Sequence, residues 1–286
     1  MKKILVPTDF FFFFVNALNF AVQTAKFFPV EINLLHVVDR TDNSYSERVN
    51  IAQEKHTVIL EALQKRLDLV KTSIAEAESV QIHTFLREGE VDENIFELSE
   101  EKGIDLIVMG TFGINGLKDR IWGSKTAGLT GKTNVPVMVI PYEYNWKVPE
   151  KILLATSFFE EDRNVLEPIT GLTDAFKATL HTIIFTDEDT ADAALFLERG
   201  MNMADYERKL KKLLNTESII TGHLSGSKFE DTLQDYIKNN DIDILTMISY
   251  QRSLWDRIFH PSVTRRMSYH TTIPLLVIPA NKKGEE

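Results

Sequence analysis

Short apolar runs alternate with longer stretches of helical periodicity along the whole chain. ILVPT at Ile4–Thr8 is followed by VNALNFAVQTAKFF, where Val15, Leu18, Ala21, Val22 and Ala25 recur at helical spacing, and then by INLLHVV at Ile32–Val38. A long polar and apolar stretch from about Ser46 to Ala77 reads as a helix. VQIHTFL, DENIFELSEEKG, DLIVMG, a glycine-bearing segment and VPVMVIP complete the first half. Apolar strands separated by helices are the pattern of a parallel sheet covered on both faces, because each crossover places a helix against the sheet.

The pattern then restarts. KILLATSF at Lys151 repeats KKILVPTDF, TLHTIIF repeats EINLLHVV, DIDILTMI repeats GIDLIVMG, and TTIPLLVIP at Thr271 repeats TNVPVMVIP at Thr133. The last two pairs share one offset, since 243 − 105 and 271 − 133 both give 138. A duplication follows, with domains at 1–142 and 150–281 and the joint in the Pro- and Tyr-rich segment Pro141–Pro149.

Composition narrows the function. A chain of 286 residues with 43% apolar and 26% charged residues suits two globular units, and the absence of cysteine excludes disulfide and thiolate chemistry. A net charge of −10 with no long Lys/Arg block argues against nucleic acid as a partner. The amino terminus MKKILVPTD is interrupted by Asp9 too early for a signal-peptide core, and no run approaches a membrane span, so a cytoplasmic protein is expected.

Candidate chemistry lies after DLIVM, where Gly110 and Gly113 are followed by nine residues and then Gly123-Ser124 at the start of a helical stretch. Glycines let a backbone turn tightly and approach a ligand, and a helix start offers free N–H groups and a positive dipole end. Together they could cradle a phosphate; the plainer reading is turn residues. This spacing resembles the ATP-binding motif of the universal stress protein family. So do Val6-Pro7-Thr8-Asp9, the strand Leu34–Asp39 with its His36, and the last strand Val135–Ile140.

The resemblance implies two tandem open five-stranded parallel sheets, Rossmann-like and of the adenine nucleotide alpha hydrolase type. It implies ATP, carried with magnesium and with no metal ligand from protein side chains, at the carboxyl ends of the strands. Pro7, Thr8, Asp9 and the backbone of Val37 would take the adenosine end, with Met109, Gly110 and Gly113 along its approach, while Gly123, Ser124 and the backbone of Lys125 would take the phosphates. The implied role is a stress-response sensor or regulator with slow or absent hydrolysis, and a homodimer or a protein partner is expected. A nucleotide-using enzyme such as an ATPase, or an interaction protein with a vestigial site, are the rival readings. The two halves are expected to pair through their last strands, as subunits of the family do.

The second half departs from the motif. Ile248, Gln251 and His260 stand where the first half has glycines, Pro261 replaces Ser124, and Ser157 replaces Asp9. Side chains would fill the phosphate space, so the second half is expected to keep the fold and not the nucleotide. GLTGKT at Gly128–Thr133 is no P-loop, because Thr126 stands where that motif needs its first glycine. The histidines are scattered, without paired metal-ligand spacing.

One stretch breaks the family pattern. Phe10 to Phe14 run through the loop after Asp9, where a polar residue usually caps the first helix. Three readings stand: a hydrophobic docking patch, a cover over the nucleotide site, or residues other than those of the natural protein.

Overall fold

The computed structural model describes residues 1–10, 12–38, 49–111, 134–189, 191–249 and 272–280, with backbone only at 12–13, 49–55 and 111. The first half runs β1 (Lys3–Thr8), α1 (Phe12–Thr24), β2 (Glu31–Val38), α2 (Val49–Glu78), β3 (Ile82–Glu88), α3 (Val91–Lys102), β4 (Leu106–Thr111) and β5 (Val137–Pro141). The second runs β6 (Lys151–Thr156), α4 (Arg163–Phe176), β7 (Thr179–Asp187), α5 (Ala193–Leu214), β8 (Ile219–Gly226), α6 (Phe229–Asn239), β9 (Ile244–Ser249) and β10 (Leu275–Pro279).

The strands form one ten-stranded sheet in the order β3-β2-β1-β4-β5-β10-β9-β6-β7-β8. Every pairing is parallel except that of β5 with β10, which is antiparallel, so two parallel five-stranded sheets meet edge to edge through their last strands. Met138 faces Leu276 across this seam, and 276 − 138 is again 138, so equivalent residues meet on the axis of the repeat. Pairing removes what would otherwise be two open apolar edges. Because the seam is antiparallel, the carboxyl ends of the two sets of strands point in opposite directions.

Alternation along each strand sends side chains to two faces and two cores. Ile4, Val6, Leu34, Val108, Leu154 and Leu276 line one core, under α1, α2 and α4. Leu5, Leu35, Ile107, Leu153, Leu245 and Val277 line the other, with Ile95 and Leu98 of α3 and Leu233 of α6. Both cores run across the seam. In α1 the buried stripe is Ala17, Leu18, Phe20, Ala21 and Val22, whereas Val15, expected to face inward, is 54% exposed.

The joint between the halves is packed. Trp146 lies edge-on to Phe20 at 5.2 Å and to Phe176 at 6.1 Å, and Phe27 meets Phe176 at 5.2 Å. Asn16 of α1 donates to the carbonyls of Pro141, Tyr142 and Tyr144. Each half also ties down its first strand with one carboxylate. Asp105 accepts from the backbone N–H of Lys2 and Lys3 at 2.6 and 3.0 Å, and Asp243 accepts from Glu150 and Lys151 at 2.8 and 2.9 Å. Asp243 is buried and also pairs with Lys147 of the joint.

Candidate functional site

In the first half the chain proceeds from β1 outward to β2 and β3, then crosses back to place β4 on the other side of β1. That reversal opens a crevice at the carboxyl ends of β1 and β4, the usual ligand position in open α/β sheets. Asp9 follows the last residue of β1, and Met109 and Gly110 sit near the end of β4, so the reversal brings them together. Val37 is one strand further out, since β2 pairs with β1 through Pro7↔Leu35 and Thr8↔His36.

The two faces of the sheet divide the expected residues. Met109 belongs to the α3-side core and Val37 packs against it. Alternation from Leu5, a member of the same core, puts Pro7 on that face, and Asp9 directly follows the end of β1. Two apolar side chains and a proline thus share one side of the crevice, with an exposed carboxylate at the strand end beside them. They suit a flat, largely apolar base with a polar sugar edge, and Gly110 adds no side chain beside them. Gly113, Gly123, Ser124 and Lys125, expected around the phosphates, lie outside the described residues, as do Gly128–Thr133, Gln251, His260 and Pro261.

On the other face sits a cluster that sequence reasoning did not find. Phe10 takes a left-handed backbone with φ of 62°, a conformation that costs a residue with a Cβ about 1–2 kcal/mol. Its N–H donates to Thr8 Oγ1 at 2.9 Å. Its ring lies 4.6 Å from the His36 ring and edge-on to Phe14 at 6.3 Å. Arg66 of α2 places its guanidinium 4.4 Å from the Phe10 ring centre and donates to the Phe10 carbonyl at 3.3 Å. His36 Nδ1 lies 2.7 Å from the Thr8 carbonyl, which can only accept, so Nδ1 carries the proton. Burial lowers the His36 pKa from its ordinary value, against an opposing pull from the Thr8 bond and Asp9.

Phe10 and Phe14 pack against the α1-side core. For these two rings neither an exposed docking patch nor a cover over the Asp9 face describes what they do. Phe11 and the side chains of Phe12 and Phe13 lie outside the described residues.

The second half has the same reversal between β6 and β9, with bulkier side chains at the matching strand ends. Phe185 stands where Val37 does, since β7 pairs with β6 as β2 pairs with β1, and its ring meets Phe229 of α6 at 4.9 Å. Arg199 of α5 donates to the Phe185 carbonyl at 2.8 Å and to Thr186 Oγ1 at 2.7 Å. Thr186 Oγ1 is 2.8 Å from His223 Nε2. Burial, with Arg199 nearby, lowers the His223 pKa. Ser157 is exposed where the first half has Asp9, and Ile248 is buried where it has Gly110. The aligned strands could have shown Phe185 in the sequence, but nothing in the letters announces Arg199.

The family model of the universal stress protein family matches residues 1–141 and again 149–279. The chain belongs to the universal stress protein family. A universal stress protein of Methanocaldococcus jannaschii is 35% identical over 144 residues, which span 49% of this chain and 81% of that protein. One from Bacillus subtilis is 31% identical over 146 residues, spanning 49% of this chain and 98% of its own length. Each relative thus corresponds to one of the two repeats. The crystal structure of a universal stress protein from Archaeoglobus fulgidus overlays 98% of this chain with 97% of its own, at a TM-score of 0.68 and 18% identity, which establishes the shared two-unit fold. Membership supports a role in the response to stress. Among the described residues no helix is long and apolar enough to cross a membrane, and no cluster of His, Asp and Glu could hold a metal ion.

Proposed function

We propose that this universal stress protein binds ATP in its first half and acts as a stress-response regulator whose output is conformation or partner binding. The observation that carries the reading is the convergence of Pro7, Val37 and Met109 on one face of the β1/β4 crevice, with Asp9 and Gly110 at the strand ends beside them. In this reading Val37 and Met109 hold the base between apolar surfaces, and Asp9 accepts from a hydroxyl or amino group at the adenosine end. Gly113, Gly123, Ser124 and Lys125 supply the phosphate contacts that the sequence motif implies. Bound ATP would bring magnesium on its phosphates. The bulkier side chains at the matching positions of the second half, Phe185 and Ile248, favour one nucleotide per chain. The protein is cytoplasmic in this reading. Its last-strand edges are used within the chain, so a homodimer would need another surface.

Calorimetric titration with Mg-ATP tests this. Saturable binding at one site per chain, lost in a Gly113→Asp, Gly123→Asp double variant, is the expected result. Absence of binding to the unaltered chain would sink it. Multiple turnover of ATP well above a no-protein control, abolished by Asp9→Asn, would replace the regulator with an enzyme.

A further inference from the structure

We propose that Arg66 is a positioning residue for the nucleotide site, pinning the Asp9 loop through Phe10 from the opposite face of the sheet. This rests on the nucleotide reading above. Asp9 is exposed and follows the end of β1, so nothing in the strand ladder fixes its direction. The next residue does. Phe10 holds a left-handed backbone, and its N–H, carbonyl and ring are each engaged, by Thr8, by Arg66, and by His36 together with Arg66. The contacts come from β1, β2 and α2, so one residue is tied to three elements.

The direction of approach separates positioning from ligand contact. Arg66 precedes Leu67, which is fully buried in the α1-side core, and Phe10 packs against that same core. Pro7, Val37 and Met109 belong to the other face. The guanidinium therefore acts on the back of the loop, and its effect on a ligand would travel through the Phe10 peptide to Asp9. Arginine suits the task, because a planar cation can lie on a ring and still donate in-plane to a carbonyl.

The repeat supplies the contrast. Helices α2 and α5 each end at a left-handed residue, Ser79 and Asn215, and counting back from these sets Leu67 beside Met203 and Ile74 beside Leu210, all in the same core. Arg66 then corresponds to Asn202, an exposed residue. Phe158, at the position of Phe10, keeps the bond from its N–H to Thr156 Oγ1 but is 40% exposed and has no left-handed backbone. The half without the arginine is the half with Phe185 and Ile248 at the crevice positions.

Amide hydrogen exchange and Mg-ATP titration on the full chain, with Arg66→Ala, Arg66→Lys, Phe10→Gly and the Phe10→Gly, Arg66→Ala double variant, test the proposal. In Arg66→Ala the Phe10 amide is expected to exchange about tenfold faster while the amides of β4 and β5 do not change. ATP affinity is expected to fall about tenfold, as it does when a tenth of the molecules hold the competent loop. Arg66→Lys should fall between. In the Phe10→Gly background, removal of Arg66 should cost less affinity than it does in the parent, because only the bond to the backbone carbonyl is then left to lose.

Unchanged exchange at Phe10 in Arg66→Ala would overturn the pin. Faster exchange with unchanged ATP affinity would overturn its role in binding, and so would additive losses in the double variant. If the unaltered chain takes no ATP, the nucleotide reading fails and the role in binding fails with it, while the exchange rates still decide whether Arg66 holds the loop.

Discussion

The two halves of the chain fold alike and have been furnished differently. At the foot of each sheet the same device recurs: Asp105 and Asp243 each gather two backbone N–H groups at the start of the first strand, and Lys3 and Lys151 donate to carbonyls at the ends of α3 and α6. At the carboxyl ends the likeness stops. Phe185 stands in place of Val37, Ser157 in place of Asp9, and Ile248 in place of Gly110. Residues that hold strands in register were kept through the duplication, and residues around the crevice were free to change. A fold and a binding site are thus separable properties of one sequence.

The largest difference should be seen at the two carboxylates. Asp243 is buried and serves Lys147 as well as two amides, whereas Asp105 is exposed. Asp243→Ala is expected to cost about 3 kcal/mol and Asp105→Ala about 1 kcal/mol, since buried charged hydrogen bonds are worth more than solvated ones. Urea unfolding would measure both, and equal losses would break the distinction.

Next comes the α1-side core. Thr182 and Thr246 flank Leu154 with fully buried hydroxyls that find no partner, where the first half sets Leu34 and Val108 about Val6. Val108→Thr should lose about 2 kcal/mol and Thr246→Val should gain about 1 kcal/mol, because an unpaired buried hydroxyl pays its desolvation without return. A Thr246→Val chain that melts lower than the parent would show that the hydroxyl is satisfied after all.

Smaller in energy but more telling for function is the pair at the crevices. Asp9→Asn is expected to weaken Mg-ATP about tenfold, the loss of one charge-assisted bond, while Ser157→Ala leaves affinity alone. A loss at Ser157 would place a ligand in the wrong half.

The smallest effect is on pH. Burial lowers the pKa of His36, His181 and His223 below 6.5, with Lys151 adding to the shift at His181. The unfolded chain therefore binds protons before the folded one does, and stability is full above about pH 6.5 and declines as pH falls toward the folded values. Melting points between pH 7.5 and 5.5 should drop less in His181→Gln than in the parent. His181 is the one to change because it is buried, with Nδ1 3.0 Å from the Tyr236 hydroxyl.

Much of this was legible in the letters. Alternating runs and the shared offset gave the two parallel sheets, and the apolar last strands gave the seam, because strand faces and edges follow from local pattern. Asp9, Val37, Met109 and Gly110 could be placed at one crevice because all lie at strand ends, whose positions the topology fixes. Arg66 and Arg199 could not. Each reaches its partner from a helix, and which side chain of a helix meets which strand end depends on packing that no spacing encodes. Val15 lies outside the buried stripe of α1, which includes Phe20 instead, and this too depends on packing. The phenylalanine run was half legible: its apolarity was plain, but the left-handed turn that tucks Phe10 against His36 belongs to the contacts around it.

The seam between β5 and β10 has a consequence for stoichiometry. Where two separate subunits share such an edge, each is a copy of the other, and a substitution that closes one crevice closes both. Here the partners are joined by the segment from Pro141 to Pro149 and are always present one to one. A cell holding this chain has a heterodimer that needs no second gene, no matched expression and no sorting against like pairs. One half can change at its strand ends without any change in the other.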